Sequence, residues 1–191
     1  MQTLSPLPVA VLLDRDGVIN VDSPDYILTP EQWLPIPGSL EAIAKLTQAG
    51  IAIAIASNQS ALGRGMMSHE TFQAIHNKMV QAIEASGGKV QHIAYCQHAP
   101  DDGCSCRKPL AGLLIECLSA LSITPSIQHT IMIGDSLRDV QAALAADITP
   151  ILVQSGYGDS AAILSKARTL DATIQAFPDL ASAVTSLLGE Q

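Results

Sequence analysis

Val9 to Leu13 is an unbroken apolar run that ends in Asp14-Arg15-Asp16 and then Gly17. A short apolar segment bounded by polar residues reads as a strand covered on both faces, the kind a parallel sheet needs. Ligands of open α/β sheets gather at the carboxyl ends of the strands, and Gly17 lets the chain turn sharply there. Two carboxylates at such a place can divide the chemistry between them, one attacking an electrophile while the other protonates a leaving group and later deprotonates water. That division suits phosphoryl transfer. Because two anions repel a phosphate, the pattern also calls for a divalent cation, and hard oxygen ligands select Mg²⁺. The ordinary alternative is an Asp turn with a structural salt bridge to Arg15.

With 191 residues, 48% hydrophobic and 15% charged, the chain can bury such a sheet as one domain over 1–191 with at most a small insertion. Ten Lys and Arg in a chain of net charge −8 leave no concentrated basic patch for a nucleic-acid backbone. A phosphorylated small molecule must therefore be held by local cations. The start, MQTLSPLPVA, has no basic region followed by a long apolar run, and no uncharged apolar run reaches the roughly 18 residues that cross a bilayer. These features predict a soluble, cytoplasmic monomer with neither membrane nor nucleic-acid partner.

Asn20 to Pro37 reads as a loop over the end of the first strand. Its residues Asp22, Ser23, Pro24, Asp25 and Tyr26 either shape a substrate pocket or are simply solvated, and Trp33 reads as the packing anchor. Pro37-Gly38-Ser39 predicts a helix with Ser39 as N-cap, and Ile51 to Ala56 predicts a second buried strand. Ser57, Asn58, Gln59 and Ser60 follow it, offering hydroxyls and amides to a phosphate without adding negative charge, or forming an ordinary polar turn. Arg64, between glycines, reaches a second anionic group or is solvated. A helix is expected over Ser68 to Ser86, then a strand over Val90 to Tyr95.

Cys96-x-His98 and, five residues on, Cys104-x-Cys106 supply three soft sulfurs and an imidazole, the ligand set of a closed tetrahedral zinc site. With no open coordination position, such a zinc staples the loop 96–106 and does no chemistry. Cys117 lies among leucines and reads as core. Arg107 and Lys108 follow the last ligand directly, and Pro109, well suited to a first helical position, predicts Lys108 on an extended stub at a helix start, a charge that can be aimed. Thr130 to Gly134 predicts a strand ending in Asp135, with Asp139 in the first turn of the next helix; Asp135 completes a metal site with Asp14. The remaining alternation of strands near 148–153 and 172–176 with helices reads as scaffold.

This order of Asp14-x-Asp16, Ser57, Lys108 and Asp135 with Asp139 resembles the four motifs of the haloacid dehalogenase superfamily of phosphatases over about residues 9–154. Asp-Arg-Asp-Gly with Ile19-Asn20, Asn58-Gln59-Ser60, the zinc loop running into Cys-Arg-Lys-Pro, and Gly-Asp-Ser-Leu-Arg-Asp narrow the likeness to the zinc-loop subgroup of heptose-bisphosphate and histidinol-phosphate phosphatases. Ser60-Ala-Leu-Gly-Arg64-Gly65 leans toward the heptose branch. The resemblance implies a Rossmann-like three-layer α/β sandwich with a mainly parallel sheet and no large cap domain. It also implies Asp14 as nucleophile, Asp16 as acid and base, and Ser57 and Lys108 on the phosphoryl oxygens. Mg²⁺ would sit on Asp14, Asp135 and the Asp16 backbone carbonyl, with Arg107 and the Asp22 to Asp25 loop recognising a sugar phosphate. A receiver-type signalling domain and a zinc-stabilised interaction module remain as alternatives.

Overall fold

The computed structural model describes residues 7–125 and 128–189. Its strands are β1 (Ala10–Leu13), β2 (Ala52–Asn58), β3 (His92–Cys96), β4 (Thr130–Gly134), β5 (Thr149–Val153) and β6 (Gln175–Phe177). They form a single parallel sheet in the order β3-β2-β1-β4-β5-β6. Strand order reverses beside β1, so the crevice where a doubly wound sheet binds ligands lies between the carboxyl ends of β1 and β4.

The helices are α1 (Ser39–Gln48), α2 (Ser60–Gly63), α3 (His69–Ala85), α4 (Gly112–Ala120), α5 (Leu137–Ala145), α6 (Ser160–Leu170) and α7 (Leu180–Leu188). Side chains alternate across a strand, and the Ile-Ala alternation of β2 puts them to different uses. Ile53 and Ile55 join Val11, Leu13, Ile131 and Ile133 against α1, α3 and α7, whereas Ala54 and Ala56 join Ala10, Leu12 and Met132 against α4 and α5. This is the expected three-layer α/β sandwich.

Several local expectations need correction. Val9 is not in the first strand and is 41% exposed, although its backbone pairs with His129 and Ala52. β2 runs two residues past Ala56, so Ser57 and Asn58 belong to the strand. Gly38, at φ 83°, caps α1, and Ser39 is instead its first residue, with its hydroxyl donating to the Ile19 carbonyl at 2.7 Å. A left-handed approach to the helix needs glycine, which removes the capping position from the serine. Helix α4 begins at Gly112, not Pro109: residues 107–110 form a turn, and the Lys108–Pro109 peptide is cis. The late strand is Gln175–Phe177. Trp33 is 1% exposed, anchoring its loop as expected, and Cys117 is core. No described helix is long and apolar enough to cross a membrane.

Candidate active site

Because β1 and β4 are adjacent and in register, the residues that follow them, Asp14 and Asp135, emerge side by side. With Asp139 from the first turn of α5 they each bring a carboxylate oxygen within 4.8 Å of the others. Lys108 reaches the same point from the other side. Only 2% exposed, it sits 2.9 Å from Asp14 Oδ2 and 2.5 Å from Asp139 Oδ1. Burial works against its charge, but Asp139 and Asp14 outweigh it and push the Lys108 pKa above the ordinary lysine value. Asp139 is equally committed, since Oδ2 accepts from the backbone N–H and hydroxyl of Ser136, the N-cap of α5. Burial would raise its pKa, yet Lys108 and those donors hold it below the usual carboxylate value.

The other two carboxylates are under-compensated. Burial raises Asp14 to about 6 despite Lys108, with Asp139 and Asp16 adding repulsion. Burial, then Asp139 and Asp14, raise Asp135 to about 8, and no donor among the described residues hydrogen-bonds its carboxylate. Glycines press close around it: a Cβ on Gly17 would stand 2.5 Å from Asp135 Oδ2, and one on Gly156 would overlap that carboxylate. Three carboxylates against one ammonium, one of them without a donor, fit a hard divalent cation.

Asp16 lines the same cleft, of about 270 Å³. Its carboxylate accepts Nε and Nη2 of buried Arg15 at 2.8–3.0 Å, Asn20 Nδ2 at 2.8 Å and Gln59 Nε2 at 2.8 Å. The structural salt bridge to Arg15 therefore exists, and the aspartate it holds also lines the cleft. Gln59 also donates to Ser57 Oγ at 3.0 Å, leaving the serine's own proton for another acceptor. Asn58 turns its amide to the backbone of Lys108, donating to its carbonyl at 2.9 Å and accepting its N–H at 3.1 Å. Arg107, Ser60, Asp22, Ser23 and Pro24 line the cleft; Asp25 is exposed outside it, and Arg64 does not reach it. Burial lifts Asp22 to about 6 against the pull of the Ser23 N–H.

The stretch from residue 148 on, expected to be scaffold, also reaches the cleft. The loop after β5 brings Tyr157 and Gly158 to the cleft, α6 adds Ile163, and Ser155 Oγ donates to the Gly17 carbonyl at 2.6 Å. Arg138, the second residue of α5, also faces the cleft and forms no ion pair with a described residue. A glycine-rich stretch after an apolar strand, and a cation between two candidate aspartates, were the available signals.

Away from the cleft, Cys96, His98, Cys104 and Cys106 gather within 4.8 Å. A tetrahedron with Zn–S near 2.3 Å and Zn–N near 2.0 Å has edges of about 3.5–3.8 Å. Cys96 Sγ lies 3.7 Å from both Cys104 Sγ and His98 Nδ1, and Cys106 Sγ lies 3.3 Å from the same nitrogen. The donor set and spacing fit zinc.

A parallel sheet that presents paired aspartates and a buried lysine at its switch point is the arrangement the haloacid dehalogenase resemblance implies, and the matches to known proteins make the chain a phosphoric monoester hydrolase of that class. The HAD-hydrolase-like family model matches residues 105–180. The chain is 42% identical to the D-glycero-β-D-manno-heptose-1,7-bisphosphate 7-phosphatase of Pseudomonas aeruginosa, over 93% of this chain and 97% of that one. Its identity to the enzyme of the same name from Bordetella bronchiseptica is 47%, over 78% and 82%. The crystal structure of D,D-heptose 1,7-bisphosphate phosphatase from B. bronchiseptica complexed with magnesium and phosphate superposes with a TM-score of 0.87 at 42% identity, covering 95% of this chain and 99% of that one. This chain belongs to the D-glycero-β-D-manno-heptose-1,7-bisphosphate 7-phosphatase family, and the signalling and interaction-module alternatives fall away.

Proposed function

We propose that this enzyme removes the 7-phosphate of D-glycero-D-manno-heptose 1,7-bisphosphate in a Mg²⁺-dependent, cytoplasmic reaction that passes through an aspartyl-phosphate on Asp14. The product feeds the route to nucleotide-activated heptose for lipopolysaccharide core or related glycoconjugates. The observation that carries the reading is the carboxylate of Asp14 at the sheet's switch point, 2.9 Å from the buried Lys108 ammonium and within reach of Asp135; the names of the relatives supply the substrate.

Asp14 attacks phosphorus and the bond to the sugar oxygen breaks, with Asp16 giving that oxygen a proton. Asp16 then takes a proton from the water that attacks the acyl phosphate, releasing inorganic phosphate and restoring Asp14. Lys108 and the Ser57 hydroxyl bind the phosphoryl oxygens where charge develops. The Asp14 and Asp135 carboxylates and the Asp16 backbone carbonyl would hold Mg²⁺, which when bound would supply the positive charge that lets an anionic phosphate approach these aspartates. Arg107 and Arg138, neither in an ion pair with a described residue, are available to the phosphate that stays. Asp22, Ser23, Pro24, Asn58, Gln59 and Ser60 shape the sugar side, while Zn²⁺ on the Cys96, His98, Cys104 and Cys106 cluster is structural.

Phosphate release from the heptose bisphosphate and from histidinol phosphate, with Mg²⁺ and with it chelated, tests the reading. A Mg²⁺-dependent preference for the heptose substrate is expected; preference for histidinol phosphate transfers the same chemistry to the other branch. Asp14→Asn is expected to abolish turnover while retaining part of its Mg²⁺ binding, and appreciable activity in that variant removes Asp14 as nucleophile.

A further inference from the structure

The wall formed by Asp22, Ser23, Tyr26 and Ile27 belongs to a segment with few ties to the rest of the protein. Its base is closed by Val21 N–H to Leu34 O at 2.9 Å and Ile36 N–H to Ile19 O at 2.9 Å. Between those closures, the hydrogen bonds of residues 22–33 are internal to the segment, such as Gln32 Oε1 accepting from Leu28 and Thr29. The exceptions among the described residues both come from Lys78, whose Nζ donates to Pro30 O at 2.6 Å and to Trp33 O at 2.8 Å. The same ammonium lies 5.8 Å from the centre of the buried Trp33 ring. Tyr26 holds φ at 66°, a left-handed backbone that a bulky residue keeps only when its surroundings enforce it.

We infer that Lys78, which lies on α3 and does not line the cleft, is a positioning residue for sugar recognition: it fixes the C-terminal end of the 22–33 segment and thereby the cleft wall that this segment carries. Apolar burial of Ile27 and Trp33 holds the segment down, but burial is non-directional; the two charge-assisted hydrogen bonds set its register. This rests on the proposed sugar-phosphate substrate, so the test has one arm that depends on it and one that does not.

In the first arm, Lys78→Met is compared with wild type and Lys78→Arg on the heptose bisphosphate and on p-nitrophenyl phosphate, an ester too small to need the wall. We expect KM for the heptose bisphosphate to rise about tenfold with kcat within about twofold, the small ester unaffected, and Lys78→Arg close to wild type. In the second arm, amide hydrogen exchange in 22–33 is expected to speed up in Lys78→Met while the strands stay unchanged. Unchanged exchange overturns the tether whatever the substrate is. Faster exchange with an unchanged KM, or an equal loss on both esters, overturns the link to recognition. Failure of wild type to prefer the heptose bisphosphate counts against the proposed function, and the exchange arm still decides the tether.

Discussion

Lys108 carries two duties at one atom. In the proposed reaction it offers a cation to the transferring phosphoryl group, and in the fold it neutralises Asp14 and Asp139 at a position that is 2% exposed. Lys108→Met is therefore expected to lower turnover by roughly 10²–10³-fold and also to destabilise the fold, because two buried carboxylates lose their partner. Adding Asp139→Asn removes one of those orphaned charges. The double variant should regain stability in thermal melts without regaining activity; equal melting temperatures for the single and double variants would disprove the counter-ion role of Asp139. That Asp14, Asp16, Lys108 and Asp135 meet in one cleft could be read from the chain, because a charged residue directly after an apolar strand, or fixed beside a proline, has few structural explanations. The two-way amide of Asn58 and the bridging amide of Gln59 could not, since an amide's partners depend on which backbone packs opposite it, here one 50 residues away.

Elements were legible where periodicity was strong. The Ile-Ala alternation of β2 declares a strand with one bulky and one narrow face, and the two faces meet different helix layers. Boundaries failed where one residue had two uses: Pro109 suits a helix start, but it lies in the turn that aims Lys108, and α4 waits until Gly112. There a Cβ on the glycine would overlap the backbone carbonyl of Ser105, so the helix begins hard against the Cys/His loop. That loop ends at Cys106, immediately before Arg107 and Lys108, and a small, largely polar segment has little apolar surface to hold itself. Removing zinc with a strong chelator is expected to loosen residues 97–107, measured by hydrogen exchange, and to abolish phosphate release in a way that excess Mg²⁺ does not restore. Full activity in protein shown by elemental analysis to be zinc-free would contradict this.

For the whole molecule, carboxylate burial sets how stability depends on pH. Asp14 and Asp22 are raised to about 6 and Asp135 to about 8, all led by burial, from an unfolded value near 3.8. The folded, metal-free protein thus holds protons that the unfolded chain has released. Its stability falls as pH climbs from about 4 through 8, a trend that the lowered pKa of His76, with burial its main cause, opposes only in part. Mg²⁺ should displace those protons, so thermal melts are expected to show a larger Mg²⁺-induced rise in melting temperature at pH 8 than at pH 6. A Mg²⁺ effect independent of pH would place the cation elsewhere.

The position of β1 at the centre of the sheet also bears on how the chain is made. It precedes the other five strands of the sheet in the chain, yet its partner on one side, β4, begins at Thr130, more than a hundred residues later. At about 5–20 residues per second that interval is on the order of ten seconds. Through it the strand that leads into Asp14 can pair with β2 alone, leaving an apolar edge open in the nascent protein. Asp135 and Asp139 arrive only as β4 closes that edge, so the acidic centre is assembled after four of the six strands, and a chain truncated before β4 has Asp14 without Asp135 or Asp139 and an unprotected central strand.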